Sequence, residues 1–250
     1  MTKNNYVVYH LHTEQSLLDS CTNYKDYVDR AVELGQKAIA FTEHGNVFNW
    51  VEKKMYCDAK GIKYIHGVEC YLTEQLEPKV RDNYHTILLA KNYEGVKEIN
   101  RLCYIASQPD HFYYRPRLSF DEFLGISDNV IKISACLASP LNLHGENETR
   151  TSVPIDLVRH YDYLEIQAHD FREQILFNQS LINWSREFGT PLIAGTDTHS
   201  LNQYKAECRT MLQYSKNIDF GNEDTFDLTY KSYDELCDMF EKQGLDKEIY

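Results

Sequence analysis

The sequence predicts an α/β fold on a mostly parallel sheet. Short apolar runs alternate with longer amphipathic stretches about seven times along 250 residues, and strand–helix alternation of that kind builds parallel sheets. No low-complexity tract and no long Gly/Ser or Pro run marks a linker, so one domain is expected over 1–250, with a barrel over about 5–215 and a C-terminal extension over about 216–250. So many repeats suit a closed or distorted α/β barrel better than an open sheet; doubly wound order is the alternative.

The elements follow in order. Tyr6–His10 reads as a strand. Asn23–Leu34 reads as a helix, with Val28, Ala31, Val32 and Leu34 on an apolar face and Gly35 as its stop. Ala38–Thr42 is a strand, and Val47–Lys60 a helix ended by Gly61. Tyr64–Tyr71 and His85–Ala90 are strands, and Tyr93–Ser107 is the helix after them. Val130–Ser134 and Tyr163–Ala168 are strands. Glu173–Phe188 is a helix closed by Gly189, and Leu192–Ala194 is the last strand.

Composition narrows the function. The net charge of −12, from 38 acidic against 26 basic residues, argues against wrapping nucleic acid by general electrostatics. An enzyme acting on nucleic acid stays open, because bound divalent cations change the local charge of a site. Seven cysteines with no CxxC pair fit reduced thiols better than a disulfide scaffold. The first residues, MTKNNYVVYH, hold no apolar signal region, and no apolar run approaches the roughly 20 residues of a membrane span. A cytoplasmic protein with no membrane partner is expected.

In α/β barrels, reactive groups gather at the C-terminal ends of the strands. The first strand ends in His10-Leu11-His12, and two His at spacing two point to the same side of an extended segment. The second ends in Thr42-Glu43-His44, the third in Val68-Glu69, and the fourth opens on His85. The next ends in Ser134-Ala135-Cys136, and the last in Asp197-Thr198-His199, again at spacing two. Asp19 lies in the loop after the first strand. Imidazole, carboxylate and thiolate are zinc ligands, and the first two also suit manganese or iron. A lone His, or a lone Cys136, would be an ordinary core residue. This many ionisable groups at strand ends would be costly to bury without metal.

The chain resembles the PHP (polymerase and histidinol phosphatase) family, specifically the version at the N-terminus of bacterial DNA polymerase III alpha subunits. The similar segments are His10 to Asp19, Thr42-Glu43-His44-Gly45-Asn46, Gly67-Val68-Glu69-Cys70-Tyr71, Tyr84 to Asn92, Phe112-Tyr113-Tyr114-Arg115-Pro116-Arg117, Ser134 to Ala138 and Ala194 to His199. They run from about Tyr6 to about Phe240. The resemblance implies a distorted (β/α)7 TIM-like barrel and a site for three divalent metal ions (Zn, Mn or Fe). Carried over, one ion takes His10, His12, Glu69 and Asp197; a second shares Glu69 and adds His85 and Cys136; a third takes Asp19, His44 and His199. Some polymerase members have lost ligands; here all nine positions hold a metal-capable residue. The family's polymerase domains do not follow in this sequence, which suggests a free-standing protein or one piece of a split or truncated polymerase.

The implied activity is metal-dependent phosphoester hydrolysis, foremost as a 3′–5′ exonuclease on DNA ends. Glu69 would bridge two ions, and Asp197 and His199 would orient the nucleophile or pass a proton. Tyr114, Arg115 and Arg117 are the substrate-binding candidates, since aromatic faces stack on bases and Arg binds phosphate. Lys91 and Arg81 are further phosphate-binding candidates, and Glu165 and Asp170 are candidates to line the pocket. His66, His111, His144, His160 and His169 match no ligand position and read as structural or exposed. The alternatives are a histidinol-phosphatase-type enzyme on a small phosphate ester and a non-catalytic module serving a DNA polymerase in trans.

Overall fold

The computed structural model describes residues 6–77, 79–142, 155–218 and 226–250; His144 lies outside them. Its elements are α1 (Tyr24–Glu33), β1 (Ala38–Phe41), α2 (Trp50–Lys60), β2 (Lys63–Thr73), β3 (Tyr84–Ala90), α3 (Tyr93–Ala106), β4 (Arg117–Ser119), α4 (Phe120–Leu124), β5 (Val130–Ile133), α5 (Ile155–Arg159), β6 (Leu164–Gln167), α6 (Arg172–Phe188), β7 (Leu192–Gly195), α7 (Gln203–Ser215) and α8 (Tyr233–Gln243). Helix boundaries follow capping chemistry. The Asn23 side chain accepts the Lys25 N–H at the start of α1, and Gly61 and Gly189 close α2 and α6 in the left-handed conformation that glycine adopts without a Cβ clash.

The fold is α/β, but the sheet departs from the expected barrel in two ways. First, it is mixed: β1 pairs parallel with β2, while β3 pairs antiparallel with both β2 and β5. Only ten residues, 74–83, join β2 to β3, and the described ones among them form no helix, whereas a parallel return needs a crossover of a dozen or more residues. The chain therefore turns back. Second, the ladder does not close. A path of β1-β2-β3-β5 with β4 on β2 forms one sheet, and β6-β7 forms another. Between β5 and β6 the described residues pair through a bridge of Ile133 with Tyr163. Tyr6–His10 is extended but unassigned as strand. It bonds to β1 through Ala40 N–H to the Val8 carbonyl, while the Thr42 hydroxyl accepts the Leu11 N–H that a regular ladder would give to a carbonyl. A side chain thus replaces a backbone partner, and the segment keeps one parallel bridge, Leu11 with Thr198.

The main core lies between sheet and helices and includes Leu11, Ile39, Val68, Leu88, Ile99 and Phe177. Each such side chain contributes roughly 1.5–3 kcal/mol by leaving water. A smaller cluster of Tyr9, Ala40, Ile87, Leu89, Ile133 and Ala135 is separate from it. Residues 226–250 join the main core through Tyr230, Leu236 and Phe240. Ser200 bridges Thr229, and the His199 N–H donates to the Leu228 carbonyl. No described helix is long and apolar enough to cross a membrane.

Candidate metal centre

The reversal of β3 explains why that strand opens, rather than ends, on its site residue. In the antiparallel register His85 stands opposite Tyr71, and Ile87 opposite Glu69. His85 therefore arrives at the same end of the sheet as Glu69. Contacts of 3.9 Å or less link all nine expected side chains into one cluster. Glu69 is its hub: its carboxylate lies 3.2 Å from His10 Nε2, 3.0 Å from His85 Nδ1, 2.5 Å from His44 Nδ1 and 3.9 Å from His12 Nε2. Asp197 Oδ1 lies 3.0 Å from His10 Nε2 and 3.4 Å from His12 Nε2. Asp19 Oδ2 reaches His44 Nε2 at 2.8 Å and His199 Nε2 at 3.2 Å, and Cys136 Sγ lies 3.5 Å from His85 Nδ1.

The turns that deliver these groups carry backbone strain. Leu18, Ala135 and Asp197 have positive φ of 69°, 62° and 46°, a region that non-glycine residues occupy at a cost of about 1–3 kcal/mol. Leu18 precedes Asp19 and Ala135 precedes Cys136, so three of the ligand-bearing turns hold an unfavourable conformation.

The residues fit divalent cations. His12 Nε2, His199 Nε2 and Asp197 Oδ1 are buried and lack a hydrogen-bond partner among the described residues. Ring nitrogens approach Asp197 Oδ1 closely enough to attract it, yet outside hydrogen-bond geometry. Such orphans are rare in folded proteins and point to an ion or water. Three groups have ligand atoms within 4.8 Å of one another: His10, His12, Glu69 and Asp197; Glu69, His85 and Cys136; and His12, His44 and His199. Their mix of nitrogen, oxygen and sulfur suits zinc, with manganese or iron at the nitrogen and oxygen positions.

The electrostatics agree. Burial, with the nearby His44 and His199 charges, pushes the His12 imidazole down to about 3, which leaves it neutral and able to ligate. Burial would raise the Glu69 carboxyl, but the His85 and His44 charges hold it well below the usual range. Burial, then the Asp197 and Glu69 charges, push the Cys136 thiol well above its ordinary value. A nucleophilic cysteine needs the opposite environment, whereas a cation against the sulfur would offset both effects.

Behind the cluster stands a set of buried partners that the sequence reading left unassigned or marginal. Glu165, fully buried, accepts from Tyr9 OH at 2.9 Å and from Gln167 Nε2 at 2.6 Å, and lies 2.8 Å from His10 Nδ1. A Cβ at Gly195 would come within 2.3 Å of the Glu165 carboxyl carbon, so the glycine makes room for it. His12 Nδ1 meets Ser16 Oγ at 2.9 Å, and that hydroxyl donates to Glu43 at 2.6 Å. Glu43 is in turn paired with buried Lys53 at 2.6 Å. Arg209 and Gln213 donate to Asp19. A polar residue inside the apolar run of β6 was the available signal for Glu165. Lys53 and Arg209 sit on ordinary amphipathic helices, with no local sign of their targets.

The other candidates separate. Arg117 is a correction: it is 2% exposed, and its guanidinium donates to the carbonyls of Val80 and His111, so it locks the loop instead of facing substrate. Tyr114 and Arg115 are exposed. Lys91 lies 3.6 Å from Asp162. His66 and His111 are held by local partners and His160 is exposed. His169 is buried and stacks on Phe226, while Asp170 borders the same pocket.

Comparison with known proteins places this geometry. The PHP domain model matches residues 9–169. The DNA polymerase III alpha subunit of Borreliella burgdorferi is 33% identical over 95% of this chain and 22% of its own length. That of Aquifex aeolicus is 32% identical over 83% of this chain and 19% of its own, and that of Helicobacter pylori strain J99 34% over 76% and 17%. The chain thus spans about a fifth of these relatives. Among solved structures, a Bifidobacterium adolescentis protein assigned as a metal-dependent phosphoesterase superposes with a TM-score of 0.53 at 14% identity, covering 78% of this chain and 88% of that one. A two-domain Bacteroides vulgatus protein, with a part assigned as PHP-like metal-dependent phosphoesterase, gives 0.51 at 15% identity over 95% and 62%. These two likenesses speak to the fold alone.

Proposed function

The chain belongs to the PHP domain family, and from that membership we propose that it is a metal-dependent phosphoesterase hydrolysing DNA from its 3′ end. One observation carries the reading: nine metal-capable side chains converge at one end of the sheet, and three of their buried ligand atoms have no hydrogen-bond partner among the described residues. The similarity to polymerase III alpha subunits supports DNA as the substrate class.

In this reading His10, His12, Glu69 and Asp197 hold one ion, Glu69, His85 and Cys136 a second, and Asp19, His44 and His199 a third. Divalent ions in such clusters lower the pKa of water and stabilise charge on attacking and leaving oxygens. The protein's own contribution is placement. Glu69 ties two ligand groups together from a fully buried position. Glu165 fixes His10 from behind, and Ser16 fixes His12. Arg209 and Gln213 hold one Asp19 oxygen, so the other turns to His44 and His199. Asp197 borders His10, His12 and His199, where it can orient an attacking water or accept its proton, and His199 is the partner to carry a proton toward the leaving oxygen.

The test offers two substrates to protein loaded with Mn²⁺ or Zn²⁺: 5′-labelled single-stranded DNA and a generic phosphomonoester. Stepwise shortening from the 3′ end is expected, lost on chelation and restored by metal. Phosphate release from the monoester alone would replace this reading with the small-molecule one. Inactivity on both, with metal bound, would leave a non-catalytic module.

A further inference from the structure

The loop 112–117 packs against the rim of the cluster, and its parts divide the labour. Pro116 lies on Gly45, the residue after His44: a Cβ there would come within 2.4 Å of the Pro116 ring, and Gly45 has a φ of +63°. Arg117 ties the loop down through Val80 and His111. The Tyr113 N–H donates to the Arg115 carbonyl at 3.1 Å, a tight reversal that forces Tyr114 to a φ of 59°. Leu18, Ala135 and Asp197 show the same left-handed strain at the turns that present cluster residues.

What this built loop presents is Arg115. Its guanidinium lies 5.4 Å above the Tyr71 ring. Tyr71 in turn stands 5.1 Å from the His85 ring and 6.1 Å from the His44 ring, so one aromatic side chain separates Arg115 from the cluster. Arg81 lies 5.3 Å above the ring of Tyr114, the residue before Arg115. Both arginines are exposed, and among the described residues neither has a carboxylate in ion-pair range. In a chain of net charge −12, two exposed cations over the rings of Tyr71 and Tyr114, with no ion pair among the described residues, are poised for an external anion. A guanidinium stacked on a ring keeps its N–H edge free for phosphate.

We propose that Arg115 on Tyr71 and Arg81 on Tyr114 form a cationic shelf that binds a backbone phosphate of single-stranded nucleic acid next to the phosphate at the metal-capable cluster. The shelf rests on the hydrolase reading above and deepens it: it selects a polyanionic diester chain over a lone phosphate ester.

Binding tests the shelf separately from hydrolysis. The probe is a fluorescent single-stranded oligonucleotide with a terminal phosphorothioate to resist cleavage, followed by anisotropy on the full chain loaded with Mn²⁺. Arg115→Gln is expected to weaken binding about tenfold, as loss of a charge-assisted phosphate contact does. Each arginine removed should lower the slope of log affinity against log salt by about 0.7. Lys97→Gln, an exposed cation on α3, should leave affinity unchanged. A second oligonucleotide carries one neutral methylphosphonate beside the terminal linkage. It should bind wild type more weakly, and Arg115→Gln should add little to that loss, since both remove the same contact. A merely structural arginine would instead give losses that add. Additive losses, an unchanged salt slope when Arg81→Gln is combined with Arg115→Gln, or no binding by wild type would overturn the shelf. Non-additive losses in a protein that hydrolyses no substrate would keep the shelf and remove the hydrolase reading.

Discussion

One face of the sheet has two ends of opposite character. On β2 the alternating residues Ile65, Gly67, Glu69 and Tyr71 share a side, and their partners across β3 and β5 are Leu89 with Ile131, Ile87 with Ile133, and His85. At the Ile65 end the face is aliphatic and borders a cavity of about 480 Å³, lined in part by Tyr9, Ile65, Leu89 and Ile193. At the Tyr71 end it carries the cluster around Glu69. The first end stabilises the fold by removing apolar surface from water. The second holds carboxylates, imidazoles and a thiol out of water, which costs stability unless hydrogen bonds or cations compensate. Both ends lie on the same strands, so the stable end is the frame on which the costly end is carried.

The sharpest test exchanges one residue at each end. Asp197→Ala removes the carboxylate shared by His10, His12 and His199, and is expected to reduce kcat/KM by about 10³-fold or more, with a cooperative thermal transition retained. Leu89→Ala is expected to cost about 2–5 kcal/mol in urea unfolding and to leave metal affinity within error, because Leu89 itself touches none of the cluster's side chains through a polar contact. If Leu89→Ala instead lowered metal affinity in protein still fully folded, the two ends would be one coupled unit.

The sequence exposed these ends unequally. His10 with His12 and Asp197 with His199 were legible because spacing two in an extended segment fixes a common side, and strand ends are where an α/β fold exposes side chains. Direction was not legible in the same way: His85 at the start of its strand is explained only by the reversal of β3, and the missing helix between Tyr71 and Tyr84 was the sign of it. The open ladder was hidden because its breaks are local: beside β1 the Thr42 hydroxyl takes a backbone partner's place, and between β5 and β6 the pairing is a bridge of Ile133 with Tyr163. Arg117 looked like Arg115 in sequence, and only burial separates an anchor from an exposed cation. Lys53 meets Glu43 across a buried contact that no periodicity encodes.

His66 provides a test midway in size, on the opposite side of β2. It is buried between Tyr64 OH at 2.8 Å and Asn100 at 2.9 Å, and burial pushes its imidazole down to about 4 despite the Asn100 hydrogen bond. The unfolded chain takes up this proton near pH 6.5, and the folded chain only near pH 4. Stability is therefore full above about pH 6.5 and falls as pH drops toward 4, by up to about 3 kcal/mol. Urea midpoints at pH 7 and pH 4.5 should show that loss, and His66→Gln should shrink it. A loss of the same size in His66→Gln would assign the acid sensitivity to the cluster end instead.

The smallest effect is expected at Glu165, where the two ends meet. Its neighbour across the β6–β7 ladder is Ile193, which lines the apolar cavity, while its carboxylate faces His10. A carboxylate at Nδ1 keeps the proton on that nitrogen, so the Nε2 lone pair turns toward Glu69 and Asp197, where an ion would sit. Glu165→Gln keeps the shape but loses the charge, and an amide that donates to Nδ1 would favour the wrong tautomer. Metal affinity is expected to fall 10–100-fold, or about 1.4–2.7 kcal/mol, by competition with a chelating dye. Stability of the metal-free protein should fall as well, because the amide sets an N–H against donors that the carboxylate accepted from Tyr9, Gln167 and His10. Gly195→Ala makes the complementary test: its methyl would press on the same carboxyl and should weaken metal binding together with stability. Should Glu165→Gln bind metal as tightly as wild type, the orientation of His10 would be set from the cluster side alone, and Glu165 would belong to the structural end of the sheet.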